Sequence, residues 1–223
     1  MDEHSQKYTD KNGNHLPIAL TEFNTRSNAS ISKNDGATNV SHTAGLFFAH
    51  ALGEIIRQGY GMAMVWDIEN GYKDGHDHGM FASNKEIDVN WLTPHPSYYH
   101  YYYYNKCFGD QYHETLTTNN SIRIHTSSFS SGEVGLVVVN ISDKEEIVEI
   151  EMENFTNGKT AGVYEIYNDN PLSRKTGING VFTKSKAGGP EKFRKIKANR
   201  LSINNNKIKI RSKPFSANYV LTQ

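Results

Sequence analysis

The sequence predicts an α/β segment followed by an all-β domain. Up to about residue 108, short apolar runs alternate with stretches of helical periodicity. From about Gln111 the texture changes to short alternating runs separated by Asn, Gly, Ser and Lys turns. Strands alternating with helices imply parallel pairing through right-handed crossovers. Regularly spaced short strands imply an antiparallel sandwich.

Each element has a local reason. Leu16 to Leu20 is an apolar run of strand length with Pro17 at its entrance, and it leads into Thr21-Glu22-Phe23-Asn24. Its length and bounds read as a buried strand. Thr43 to Gln58 reads as a helix, because Ala44, Phe47, Phe48, Ala51, Leu52, Ile55 and Ile56 recur at three-and-four spacing. Ser41 is its cap and Gly59 its stop. Gly61 to Trp66 is a second apolar strand, followed by a loop dense in Asp, His and Gly (67–79). A second helix is expected over about Pro96 to Phe108, carrying six tyrosines between Tyr98 and Tyr104. Strands of the sandwich are expected at 121–126, 134–140, 146–152, 162–167, 200–203, 207–210 and 218–221. The insert 168–199 reads as a basic surface loop.

Composition narrows the function. The chain has 223 residues, with 24 Lys plus Arg against 24 Asp plus Glu. A balanced charge argues against a basic nucleic-acid stripe and a polybasic membrane anchor. Cys107 is the sole cysteine, so neither an intrachain disulfide nor a cysteine-based zinc site is available. No apolar run is long enough to span a bilayer. Asp10-Lys11-Asn12-Gly13-Asn14 opens like a calcium loop, but His15 stands where its glycine belongs and Thr21 where its glutamate belongs. No P-loop or dinucleotide turn is present, and no cofactor is implied.

Glu22 carries the most information. It ends a strand that is followed by a helix, and in parallel α/β folds ligand sites gather at that end. A salt-bridged structural glutamate is the other reading. Trp66 ends the second strand, and one reading of it is core packing. Asp67, Asn70, His76, Asp77 and His78 supply hydrogen-bonding groups suited to a hydroxyl-rich ligand, with loop bonding as the alternative. Metal ligation is the least favoured reading, because the spacing matches no standard zinc site. The tyrosine helix reads as packing, with Tyr98, Tyr101 and Tyr102 on the α/β side and the others facing the sandwich.

Thr-Glu-Phe-Asn at 21–24 resembles the surroundings of the nucleophile in clan A retaining glycoside hydrolases, and the strand ending in Trp66 is similar to their eighth barrel strand. Leu16 to Asn24, Gly61 to Asp67, Asn70-Gly71-Tyr72, Asp77 to Phe81 and Pro96 to Asp110 together resemble glycoside hydrolase family 86, the β-agarases and β-porphyranases. The resemblance covers roughly residues 14–112. It implies the last two strand–helix units of a (β/α)₈ TIM barrel over 1–112, followed by an antiparallel β-sandwich over 113–223. It further implies Glu22 as nucleophile of a double displacement, with Asn24 and Arg26 as nearby donors. Trp66, Asp67, Asn70, His76, Asp77 and His78 would be substrate-binding, the partner an agar-type galactan, and the location secreted, periplasmic or cell-surface.

The clan's acid/base glutamate follows an asparagine, and the sequence contains no Asn-Glu pair. A barrel needs eight strands and about 250 residues. The expectation is therefore a C-terminal portion whose barrel half lies elsewhere, inactive by itself and with bare strand edges. A different clan A specificity, such as xylosidase or arabinofuranosidase, and a non-catalytic carbohydrate-binding protein are the alternatives.

Overall fold

The computed structural model describes residues 8–25, 39–73, 77–155 and 158–223. Strand β1 (Ala19–Phe23) leads to helix α1 (His42–Arg57), strand β2 (Met62–Val65) and helix α2 (Pro96–Cys107). Nine strands follow: β3 (Gln111–His113), β4 (Ile122–Ser128), β5 (Val134–Asn140), β6 (Glu146–Glu151), β7 (Thr160–Tyr167), β8 (Gly177–Ile178), β9 (Asn199–Ser202), β10 (Lys207–Ser212) and β11 (Ser216–Thr222). A single 3₁₀ turn, Phe193–Lys195, precedes β9.

β1 and β2 pair in parallel, with Ala19 opposite Met62, Leu20 opposite Ala63 and Phe23 opposite Val65. The register shifts between Leu20 and Phe23, which marks a bulge at Thr21 and Glu22. Among the described residues these two strands form no closed barrel. The larger sheet runs β3-β4-β5-β11-β7-β8, with β9 also on β7. Every pairing in it is antiparallel. β6 and β10 form a separate antiparallel pair.

These pieces stack in four layers: the parallel pair, the helices, the seven-stranded sheet and the β6–β10 pair. The sheet is buried on both faces, and β5 shows how. Val137 and Val139 point into one core with Leu46, Ala49, Tyr99, Tyr103 and Tyr104 of the helices. Leu136 and Val138 point into the other with Val148, Ile150, Ile208 and Ile210. Two-residue periodicity sends alternate side chains to opposite faces, and a strand packed on both reads as continuous apolar sequence. The first core thus crosses residue 112, joining helices from one side to strands from the other.

The Ser41 hydroxyl accepts from Ala44 N at 3.2 Å and caps α1 as expected. α2 starts at Pro96 in the first turn. Its tyrosines divide differently from the expectation. Tyr101 does face Phe48 of α1, with ring centroids 5.4 Å apart. Tyr98 packs on Phe81 of the α/β side, at 5.0 Å, and meets Phe193 edge-on at 5.9 Å, while Tyr102 instead closes edge-on on Phe193 at 4.9 Å. Phe193 comes from the 168–199 insert, so that insert is more than a surface loop. It buries Thr176, Ile178 and Ala187, and its Pro171 and Ser173 carbonyls accept from Thr43 N and His42 N. It straps the start of α1 and the side of α2. The expectation of a buried strand at 16–20 is also corrected. The strand begins at Ala19 and is at most half-buried, because only one face of the parallel pair is covered.

Candidate active site

The site is built on the carboxyl ends of β1 and β2. Phe23 turns toward the helices and meets Phe48 at 5.5 Å between ring centroids. Thr21 and Glu22, the two residues of the bulge between inward Leu20 and Phe23, are both exposed on the open side. On β2, Ala63 and Val65 are half-buried while Met62 and Met64 are exposed. Trp66 follows the same alternation and is 48 % exposed. Glu22, Met64 and Trp66 therefore share the face turned away from the helices.

Asn24 ties the two strand ends together. Its Nδ2 donates to Trp66 O and, at 3.0 Å, to His78 O. Its Oδ1 accepts from Thr25 N at 2.7 Å. Trp66 N donates to Phe23 O at 2.9 Å, continuing the ladder past the end of β2. The Trp66–Asp67 peptide bond is cis. Asn24 was expected to act on Glu22 or substrate; in the fold its amide is spent on holding Trp66 and the following loop in place.

The loop after Trp66 is held from inside. Asp67 N donates to His78 O at 3.2 Å, and Met80 N to Asp67 O at 2.9 Å. Asn70 Nδ2 donates to Asp67 Oδ2 at 3.2 Å, and Asn70 Oδ1 accepts from Gly71 N. Burial, reinforced by the Asp77 carboxylate beside it, pushes the Asp67 carboxyl above its ordinary value. Asp77 is 1 % exposed. Its two oxygens accept from Gly79 N at 2.8 Å and Ser83 N at 3.1 Å. It braces the loop from beneath, away from the open face. His78 is half-buried and contributes its carbonyl to both Asn24 and Asp67. Arg26 and His76 lie outside the described residues.

A buried charge cluster fixes the far end of this loop, and no motif or spacing along the chain points to it. His95 Nδ1 donates to Gly79 O at 2.7 Å, and its Nε2 meets Glu86 Oε2 at 2.9 Å. With Nδ1–H already donating, the second contact must carry a proton shared between the imidazole and the carboxyl. Burial pushes the His95 imidazole below its ordinary value. Arg174, from the 168–199 insert, donates to the other Glu86 oxygen. Asp77, Glu86 and His95 are close enough to suggest a metal site. Each of their donor atoms is already taken by backbone, by a partner in the cluster or by Arg174. The cluster fits a brace, not an ion.

A hollow of about 930 Å³ lies elsewhere, at the open end of the sandwich, and all its lining residues fall within 113–155. The candidate active site is by contrast an open surface.

No protein-family model matches the chain, and no curated protein matches it. Solved structures do match. A family 44 xyloglucanase from Paenibacillus polymyxa aligns with a TM-score of 0.62 at 15% identity, over 98% of this chain and 33% of that one. A family 51 α-L-arabinofuranosidase from Thermotoga petrophila gives 0.62 at 14% identity, over 93% of this chain and 43% of that one. A family 30 xylanase from Clostridium acetobutylicum gives 0.57 at 12% identity, over 93% and 43%. The chain thus spans between a third and under half of these glycosidase structures. At such identities the likeness is one of fold. It is shared among several glycosidase families, and family 86, which the sequence resembles, is not among those named.

Proposed function

We propose that the chain forms the last two strand–helix units and the β-sandwich of a retaining glycoside hydrolase acting on a polysaccharide, with Glu22 as nucleophile. The observation that carries the proposal is the pairing of Glu22 and Trp66. Both are exposed at the carboxyl ends of adjacent parallel strands, and Asn24, which follows Phe23, bonds Trp66 O and His78 O.

In this reading Glu22 attacks the anomeric carbon and forms a covalent glycosyl-enzyme. A second carboxyl about 5–5.5 Å away protonates the leaving oxygen and then activates water. That second carboxyl, and the strands that cover Met62 and Met64, come from residues outside these 223. Met62 and Met64 are 51 % and 43 % exposed, whereas inward residues of a closed barrel are packed in layers. Trp66 lies under a pyranose ring, and Asp67, Asn70 and His78 line the approach.

The substrate divides the proposal. The sequence resemblance favours a red-algal galactan. The fold neighbours bear the names of enzymes for xyloglucan, xylan and arabinofuranosides, which favours another specificity on the same mechanism. The test is a reducing-end assay of the barrel-completed polypeptide on agarose, porphyran, xylan, xyloglucan and an aryl arabinofuranoside. Glu22→Gln should lower the rate on the true substrate at least about 1000-fold, and azide should restore turnover in Glu22→Ala with formation of a glycosyl azide. Full activity in Glu22→Gln on every substrate cleaved would overturn the assignment.

A further inference from the structure

We propose that His50, Glu54 and His125 form a divalent metal site, with zinc as the ion their donor set fits, tying helix α1 to sandwich strand β4. The site is separate from Glu22 and independent of the glycosidase reading.

His50 and Glu54 are four residues apart on α1, hence on one face of the helix. His125 reaches them from β4. One ligand atom from each of the three lies within 4.8 Å of the other two. His50 Nδ1 and His125 Nε2 are 3.0 Å apart, and the ring centroids are 5.2 Å apart. Two imidazoles on a tetrahedral zinc, with bonds of about 2.0–2.1 Å, have nitrogens about 3.3 Å and centroids about 5.2 Å apart. An ion in place of the shared proton requires the nitrogens to open by about 0.3 Å and both rings to tilt until their lone pairs converge on it.

Three further features support the site. Gly53 makes room for the buried ring: a Cβ there would lie 2.1 Å from His125 Cγ and 2.4 Å from its Nδ1. Tyr112 OH stands 3.3 Å from His125 Nδ1, the outer partner that a metal-bound histidine ordinarily has. Glu54 uses only Oε2 to bind Arg57, at 3.0 and 2.7 Å. Among the described residues its Oε1 has no hydrogen-bond partner. Three protein ligands and a solvent-facing fourth position match an open zinc site.

The Asp77–Glu86–His95 cluster is a useful contrast, because its donors are all consumed. The cations around the proposed site are Arg57 and Arg123, with Glu114 beside Arg57.

The experiment uses chelator-treated protein titrated with Zn²⁺ by calorimetry and with Co²⁺ by visible absorption. One equivalent should bind, and Co²⁺ should give the intense bands of four-coordination. His50→Gln and Glu54→Gln should each weaken binding at least about tenfold. At a hundredfold excess over the wild-type Kd, zinc should raise the wild-type Tm by about 5–10 °C and that of each variant by about half as much or less. Metal-free melts matched to wild type show that the variants fold. X-ray absorption of the zinc-loaded wild type, which needs no variant, should show two imidazoles. No Co²⁺ band, binding unaffected by both substitutions, or fewer than two imidazoles would each overturn the proposal; the second outcome would place the ion elsewhere among the chain's 10 histidines.

Discussion

Acid should loosen the helices from the sandwich, and His42 gives the magnitude. It is the first residue of α1 and is fully buried. Its Nε2 donates to Phe215 O at 2.7 Å, which leaves Nδ1 to accept from Thr176 Oγ1 at 3.1 Å. The neutral ring is thus fully bonded. A second proton would put a charge in a dry site at the positive end of a helix dipole. Burial, partly offset by the bond to Phe215, lowers its pKa from 6.5 to about 4. The folded value lies below the unfolded one, so the unfolded chain binds more protons between these values. Stability is therefore complete above about pH 6.5 and falls as the pH drops toward 4. At pH 4.5 the loss from this one ring is about 2 kcal/mol relative to pH 7. His100, buried against Tyr219 OH at 2.8 Å, is shifted in the same direction by burial. The assay is urea unfolding at pH 7 and pH 4.5 for the wild type and His42→Gln. The variant should lose about 2 kcal/mol less between the two conditions. Equal losses in the two proteins, or an NMR midpoint for His42 near 6.5, would refute the reasoning.

Other expected outcomes follow from single contacts. Gly53→Ala should destabilise by about 1–3 kcal/mol despite the better helix former, because the new methyl meets the buried His125 ring; urea unfolding reads this. Arg174→Met should cost about 3–5 kcal/mol by leaving the buried Glu86–His95 pair without its guanidinium, and should raise proteolysis within 77–95. Asn24→Ala should cost about 1–3 kcal/mol from the lost hydrogen bonds to Trp66 O, His78 O and Thr25 N and should change Trp66 fluorescence, since the amide fixes that strand end. Residues 1–223 alone should release no reducing ends from any of the five substrates.

Much of the architecture was legible because apolar spacing is local. Val134–Asn140 was read to the residue, since a strand buried on both faces leaves an unbroken apolar run. Both helices were placed to within about a residue by their periodicity and by Ser41 and Pro96. β3 and β8 were missed: at three and two residues they carry no period to detect. The 168–199 insert was misread because its anchors, Arg174, Ile178 and Phe193, are sparse among polar residues and act through partners distant in sequence. In the candidate site, the positions of Glu22 and Trp66 followed from strand order. The parts played by Asn24 and Asp77 did not, because both bind backbone groups whose location only the fold determines. The Glu86–His95–Arg174 cluster spans 88 residues, and no spacing rule reaches that far.

The most direct measurement is of the covalent intermediate. The barrel-completed polypeptide is incubated with 2-deoxy-2-fluoro glycosides of galactose, xylose and glucose, digested and mapped by mass spectrometry. One of these sugars is expected as an ester on Glu22, with the label absent from Glu22→Gln. A label on any other carboxylate, with Glu22→Gln still active, would contradict the assignment of Glu22 as nucleophile.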